Sequence, residues 1–415
     1  MSSIRVAILG FGGRGCGFAA LVNEHPDAQV VAVAEPIAAR RQAAADAYGL
    51  AEDAVFPDWE RFVAAKPDCD GVVIATMDRD HVGPAVACQD LGYHIFLEKP
   101  MATTLADCEA IAEAQRRNDT ITIVCHSLRY HQGCDELKRR LDSGEIGRIV
   151  SMDQLEQVAW WHQAHSFVRG NWGNEDRATF MLLAKSCHDI DYMSYLIGSD
   201  CARVSSFGSL TYFNADNAPE GSAERCFDCS IEPDCAYSAI KTYLGEKSWI
   251  ASLIPGNLGP DELREEIRTG PFGRCVWRSD NDVVDHQVVA MEYANGVTAT
   301  FTMTGFTHDG GRVIRLHGTE GELRYDQSVE EITHKHFATQ TVETNPVKQE
   351  AGSHGGGDQR VVHTWIEAIA AKDPSKVRTD VHESLRTHRI VFAAEQSRRE
   401  KRQVELPGRD AVEII

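Results

Sequence analysis

The sequence predicts an α/β protein in two parts: an N-terminal doubly wound parallel sheet, then a C-terminal α+β region built on a large, mostly antiparallel, open-faced sheet. Three observations predict it. Short apolar runs alternate with helix-periodic stretches over residues 1–126, a glycine-rich turn joins the first run to the first helix, and hairpin-like strand pairs dominate the chain beyond the helix that ends near Leu196.

Residues 4–9, 28–34, 71–76, 94–99 and 120–126 are short and almost wholly apolar, as strands buried on both faces must be. The stretches 14–24, 38–48, 80–91 and 105–117 carry helical periodicity. Gly49 and Gly92 stop two of these helices, and Thr104 with Asp107 caps the start of another. Right-handed crossovers between such units wind the sheet on both faces. After residue 126 the pattern becomes a helix (133–142), a strand (148–158), a Trp-rich loop and a helix (185–196). Strands 287–293 and 297–303 flank Asn295-Gly296, which supplies positive φ for a tight hairpin, and 312–317 with 321–326 form the next pair. Residues 214–274, rich in Cys, Pro and Gly, read as an insertion near the site; helices 361–371 and 381–399 should pack back on the body. The expected division is 1–126 for the cofactor and 127–415 for substrate and assembly.

The chain carries 42 Lys+Arg against 62 Asp+Glu, a formal charge of -20, so its average surface repels phosphate backbones and anionic membranes. Nucleic acid and membrane are excluded as expected partners. With no basic leader before the first strand and no apolar run long enough to span a bilayer, the expectation is a cytoplasmic protein with reduced cysteines.

The glycine-rich turn reads Gly10-Phe11-Gly12-Gly13-Arg14-Gly15, a G-x-G-x-x-G between a strand and a helix. In that setting the first glycine permits the turn, the second admits a pyrophosphate, the third lets helix meet strand, and the helix N-terminus stabilises the anion. This is a Rossmann fingerprint. Glu35, at the end of the second strand, is placed to accept the adenosine ribose hydroxyls, which favours NAD; Arg40 and Arg41 leave room for a 2′-phosphate.

Downstream stand Thr76 and His81, the run Gly92-Tyr93-His94-Ile95-Phe96-Leu97-Glu98-Lys99-Pro100, the segment Gly144-Glu145-Ile146-Gly147-Arg148, and His317-Gly318-Thr319-Glu320-Gly321-Glu322. With the fingerprint, these resemble landmarks of the glucose-fructose oxidoreductase and inositol dehydrogenase family, Gfo/Idh/MocA. The resemblance implies a nicotinamide over the strand ends, with Thr76, His81, Glu98 and Trp172 beside it and Lys99 reaching the substrate hydroxyl. It also implies a second half-site in Lys185-Ser186-Cys187-His188-Asp189-Ile190-Asp191. The chain departs from the family there: the Asp usual four residues before the His is Ala184, and Lys185 follows it. Two cations beside His188 would depress one another's pKa, so His188 is expected as the base, Lys99 as the group polarising the oxygen and Lys185 as a positioner, with the base role exchangeable between His188 and Lys99. Arg129, Tyr130, His165, Arg169 and Asp189 are expected around the substrate. The turns Asp309-Gly310-Gly311-Arg312 and Ser353-His354-Gly355-Gly356-Gly357-Asp358 offer further contacts, although turn chemistry alone accounts for their glycines.

The expected function is NAD-dependent oxidation of a secondary hydroxyl on a sugar, polyol or glycoside, by a homodimer or homotetramer. One alternative is a redox-neutral NAD-dependent glycosidase that oxidises C3 transiently, eliminates the aglycone, adds water and returns the hydride, with His162, His165, Tyr130 or Tyr192 as its additional base. Another is a non-catalytic nucleotide sensor on the same fold. Cys226, Cys229 and Cys235 form a C-x2-C-x5-C cluster resembling half a structural zinc site, with Cys201, Cys275 or a His as fourth ligand and metal-free thiols as the competing expectation.

Overall fold

In the computed structural model the described residues are 3–245, 248–254, 258–348 and 352–408. The first sheet is parallel and contains β1 (Ile4–Leu9), β2 (Ala28–Ala34), β3 (Val55–Phe56), β4 (Gly71–Ile74), β5 (His94–Leu97) and β6 (Thr122–Val124), in the order β3-β2-β1-β4-β5-β6. Helices α1 (Gly13–Glu24), α2 (Ala38–Tyr48), α3 (Trp59–Ala65), α4 (Val82–Asp90) and α5 (Leu105–Asn118) connect the strands. The order reverses between β1 and β4, and that crevice, at the strands' carboxyl ends, is where open α/β sheets bind ligands. Gly49 closes α2 at φ 62, and the Thr104 side chain accepts from the Asp107 backbone N–H to start α5. The short β3 and α3 have too few residues to show a period, and the sequence did not reveal them.

The second sheet has nine strands: β7 (Ile149–Gln157), β8 (Cys201–Ser209), β9 (His286–Tyr293), β10 (Thr298–Thr304), β11 (Gly311–Gly318), β12 (Gly321–Asp326), β13 (Glu331–His336), β14 (Thr341–Pro346) and β15 (Val404–Glu405). Their order is β14-β13-β12-β11-β7-β10-β9-β8-β15, antiparallel except where β7 meets β10. Gly296 takes φ 85 in the β9–β10 hairpin. The remaining helices are α6 (Gln132–Asp142), α7 (Trp160–Ala164), α8 (Met181–Ile197), α9 (Pro260–Thr269), α10 (Gly357–Ala371) and α11 (Val381–Glu400).

One face of this sheet is buried under α8 and α11 in a single apolar core that includes Met181, Ile190, Phe301, Leu316, Tyr325 and Val391. Helix α8 is buried on nearly all sides, which is why its amphipathic signal is weak and its first turn escaped the sequence reading. The C-terminal helices pack back as expected, but α10 completes the first unit rather than the second. Its Trp365 lies edge-on to Phe96 at 5.8 Å, and a Cβ on Gly71 would come within 2.7 Å of the Trp365 ring. Among the described residues no helix is long and apolar enough to cross a membrane.

Candidate active site

The turn after β1 is crowded below and open above. A Cβ on Gly10 would sit 2.5 Å from the Ala75 carbonyl oxygen, and one on Gly15 only 1.9 Å from that of Gly10. Above Gly13 nothing lies within 4 Å, and above Gly12 there is only the Arg40 guanidinium at 3.8 Å. Helix α1 starts there with no side-chain cap, so its first amides are left for an anion. This is a fit for a dinucleotide pyrophosphate. The buried Glu35 carboxylate accepts from the backbone N–H of Phe11 (2.7 Å) and of Ile37 (2.9 Å), which fixes it against the turn.

Lys99 leaves the end of β5 and donates from Nζ to the Ala184 carbonyl oxygen at 2.5 Å, across to α8 of the other lobe. It is the backbone of Ala184, not a side chain, that meets the lysine. Glu98 accepts from the Lys99 backbone N–H and from Arg14 Nε, and Arg14 continues to Asp358 at the start of α10 (2.6 Å). Thr76 Oγ1 donates to the Asp80 carbonyl at 3.0 Å; His81 Nδ1 donates to the Pro100 carbonyl at 2.8 Å. Trp172 spans the lobes, its Nε1 donating to Asp78 at 2.9 Å; burial pushes the Asp78 carboxyl up in pKa.

His188 lies on α8 and is buried in a polar cluster. Arg312, at the start of β11, donates to His188 Nε2 (2.9 Å) and to Asp189 Oδ1 (2.6 Å), and its Nε is 3.0 Å from Glu156. Glu156 in turn pairs with Lys185 at 2.7 Å, and Gln154 donates to Asp189 at 2.7 Å. Burial first, then the charges of Arg312, Lys99 and Lys185, hold His188 well below the ordinary imidazole pKa. The depression was expected, but its main causes are burial and Arg312 rather than Lys185. A guanidinium has no lone pair and only donates, so neutral His188 accepts at Nε2 and carries its proton on Nδ1. In this arrangement Arg312 engages the Nε2 lone pair of His188. Replacing Arg312 with Met would leave Asp189 buried and without its main cation. We expect a loss of about 3–5 kcal/mol in urea unfolding; an unchanged midpoint would contradict this reading of the cluster.

Four residues expected around the substrate are instead tied up inside the protein. Arg129 forms a buried two-point pair with Asp191, both bonds at 2.7 Å. The Tyr130 hydroxyl accepts from the Arg378 backbone N–H at 3.0 Å. His165 bonds Tyr243 at 2.9 Å and stacks on Phe272, and Arg169 donates to the carbonyls of Arg274 and Tyr237. Both clamp the insertion, whose short helical turns form their own small core around Tyr243, Ile267 and Phe272. Asp189 is fully buried and belongs to the Arg312 cluster.

Cys226, Cys229, Cys235 and Cys275 line one small cavity with Arg169, Tyr237 and Trp277. The Cys226 sulfur accepts from the Ala239 backbone N–H at 3.4 Å and lies 3.9 Å from Arg169. Among the described residues no group of three or more His, Cys, Asp or Glu is disposed to hold a metal ion, so the zinc expectation finds no ligand set here. Sequence reasoning missed Glu156, and it assigned His354, Asp358 and Arg312 only loose contacts. Arg312 lies 124 residues from His188 and Asp358 lies 344 residues from Arg14 along the chain, and no local spacing signals these pairings.

Fold and site together define a two-lobed NAD-binding oxidoreductase. The chain belongs to the Gfo/Idh/MocA oxidoreductase family: residues 4–126 match its NAD-binding Rossmann fold and residues 138–406 its C-terminal alpha/beta domain. Inositol 2-dehydrogenase of Salmonella typhimurium (strain LT2) is 31% identical over 185 residues, 44% of this chain and 51% of that protein. Levoglucosan dehydrogenase of Pseudarthrobacter phenanthrenivorans is 24% identical over 335 residues, 75% of this chain and 74% of that protein. The chain thus spans about half of the first relative and three quarters of the second. A solved levoglucosan dehydrogenase, in complex with NADH and L-sorbose, shares the fold at TM-score 0.72 and 19% identity, covering 98% of this chain and all of that one.

Proposed function

We propose that the protein is an NAD-dependent dehydrogenase acting on a secondary hydroxyl of a sugar, polyol or glycoside. The observation that carries this reading is the approach of Lys99, from the end of β5, to α8, where His188 stands on the next turn after Ala184. NAD would be held by Gly10, Phe11, Gly12, Gly13, Arg14 and Gly15 around its pyrophosphate, by Glu35 at the adenosine ribose, and by Thr76, His81, Glu98 and Trp172 nearer the ring. When bound, its nicotinamide supplies the hydride acceptor. The chain's own groups then handle the oxygen. Lys99 directs positive charge at the hydroxyl, stabilising it as negative charge develops, and His188 donates from Nδ1 to the same region. Lys185 keeps Glu156 paired, and Glu156 helps to hold Arg312.

The test is spectroscopic. Purified protein with NAD should show nicotinamide reduction with at least one member of a panel of sugars, inositols and glycosides. NAD binding without reduction across the panel would count against the proposal.

One observation favours a second reading, redox-neutral glycoside hydrolysis. Of the side chains expected to serve as its extra base, His165 and Tyr130 are engaged as described, and Tyr192 donates to the Cys134 carbonyl at 2.9 Å. His162 alone of the four lies near the cationic pair: burial, then Lys185, His165 and Lys99, hold it well below the ordinary imidazole pKa. Its ring stacks on Trp161, which meets Trp249 edge-on at 4.8 Å. Aglycone release with catalytic NAD and no net reduction would select this reading; stoichiometric NADH would exclude it.

We also propose a homo-oligomer. The uncovered face of the nine-stranded sheet exposes Phe207 (71%), Val150 (50%) and Val288 (37%), an apolar surface suited to a second copy.

A further inference from the structure

We infer that Trp249, packed on Trp161, forms a subsite for a second ring, so that the substrate is a glycoside whose reacting sugar is joined to another sugar or to an aryl group. The inference deepens the reading above and rests on its placement of the reacting oxygen at Lys99 and His188. It holds whether the hydride stays on the nicotinamide or is returned.

Three aromatic side chains run from the cationic pair toward solvent. His162 is the innermost: burial, then the charges of Lys185, His165 and Lys99, lower its pKa, so it stands within reach of both lysines. The Trp161 ring stacks on His162, with 5.3 Å between centroids and 19° between planes. Trp249 meets Trp161 at 4.8 Å and 79°. Exposure grows along the row. Trp161 is partly buried against the core of the insertion, whereas Trp249 is 56% exposed.

The backbone is shaped to present this row. Ala159, just before α7, has φ 68 although it is not glycine, in a region that carries strain and is associated with functional positions. Its N–H donates to Thr307 Oγ1 at 3.1 Å, and the Trp160 N–H donates to the Thr307 carbonyl at 2.9 Å, which fixes the turn. Trp161 and His162 therefore follow directly on the end of β7 that carries Glu156, the partner of Lys185. The insertion supplies the outermost ring. Ile250, 3% exposed, anchors the turn 248–253 in a core shared with Tyr243 and Phe272, while its neighbour Trp249 stays in contact with solvent. The Ser252 hydroxyl donates to the Trp249 carbonyl at 2.6 Å and closes that turn.

An edge-to-face contact uses at most one face of each ring, so Trp249 keeps a face free for another. One face of a pyranose presents mainly C–H groups, and an aryl ring is apolar on both, so either packs well on an indole. Trp249 stands two ring contacts out from His162, each about a ring's width. A lone sugar or polyol seated at Lys99 ends short of it, and a ring joined through the glycosidic oxygen reaches it.

The test titrates matched ligands into the NAD-loaded full chain, with calorimetry and tryptophan fluorescence as readouts that need no turnover. The probes are gluco- and galacto-configured sugars of either anomer, each as methyl glycoside, phenyl glycoside and disaccharide. At least one ring-bearing probe should bind about tenfold more tightly than its methyl counterpart. Trp249→Ala should cut that advantage to about twofold or less and leave the methyl glycoside unchanged, while Trp249→Phe should keep part of it. A preference for the disaccharide identifies the second ring as a sugar; a preference for the phenyl glycoside identifies it as an aryl group. Equal affinity for methyl and ring-bearing glycosides, no binding by any ring-bearing probe, or an advantage that survives Trp249→Ala would overturn the subsite. NADH formed from methyl glycosides with no ring advantage would strike the subsite and leave the dehydrogenase reading standing. A Trp249-dependent advantage without NADH would do the reverse.

Discussion

Replacing Lys99 with alanine is expected to lower kcat about a thousandfold, about 4 kcal/mol of transition-state stabilisation, while NAD affinity changes only a few-fold. The argument is positional. Lys99 stands where the parallel sheet ends, and its Nζ already crosses to the carbonyl of Ala184. Removing it takes a full positive charge from the point where an alkoxide would develop, inside a region bounded by buried His188, Glu98 and Asp358. In the proposed reading the nucleotide is held mainly by the turn at Gly10 and by Glu35, which the substitution leaves in place. Lys99→Arg should rescue poorly, because the planar guanidinium is larger and has a different donor geometry. Stopped-flow and steady-state rates, with nucleotide titration on the same samples, provide the check. A Lys99→Ala enzyme within tenfold of wild-type kcat would remove Lys99 from the chemistry.

Acidification should destabilise the fold well before the carboxylates titrate. His188 and His162 are held well below the ordinary imidazole pKa, His131 and His165 are pushed down to about 4, and His388 to about 3, with burial the first cause in every case. Such a group is neutral when folded and binds a proton on unfolding once the pH is below its unfolded value. Its stabilisation is complete above about pH 6.5 and is lost as pH falls toward the native value. At about pH 5 His131, His165 and His388 each contribute a loss of ~2 kcal/mol, on the order of 6 kcal/mol together and a large share of a domain's stability, and His188 and His162 act in the same direction. Asp78, whose buried carboxyl is pushed up, works in the opposite sense but is a single group. The depressed carboxylate of Asp191 adds its own loss only at still lower pH. Urea midpoints measured from about pH 7.5 to about pH 5 should therefore fall steeply; a flat profile would show that these imidazoles are not buried as described.

The cofactor half of the protein was legible because its logic is local. An almost wholly apolar run of six, three glycines at fixed offsets and a helix start occupy the twelve residues from Ile4 to Gly15, and β1, the open turn and α1 stand where that pattern put them. The position of Lys99 at the end of β5 was legible for the same reason, whereas its expected role came from the resemblance. The substrate half was not. His165 and Arg169 look like polar ligands in a loop, yet their partners Tyr243, Tyr237 and Arg274 arrive some 70 to 105 residues later and cover them. Arg129 likewise reads as a free cation until α8 brings Asp191 against it. The tautomer of His188, on α8, depends on Arg312, 124 residues away on β11, and no periodicity of either segment contains that meeting. The edge strands β13, β14 and β15 are short or polar on both sides, and so lack the alternation by which β9 and β10 were recognised.

The central claim is that two lobes bring an ammonium and a neutral imidazole to one substrate oxygen. A crystal structure with NAD and an oxidisable sugar, polyol or glycoside bound tests it most directly. The prediction is a substrate hydroxyl within about 3 Å of both Lys99 Nζ and His188 Nδ1. A substrate seated elsewhere, with Lys99 still on Ala184 and the His188 Nδ1–H turned to protein, would contradict it.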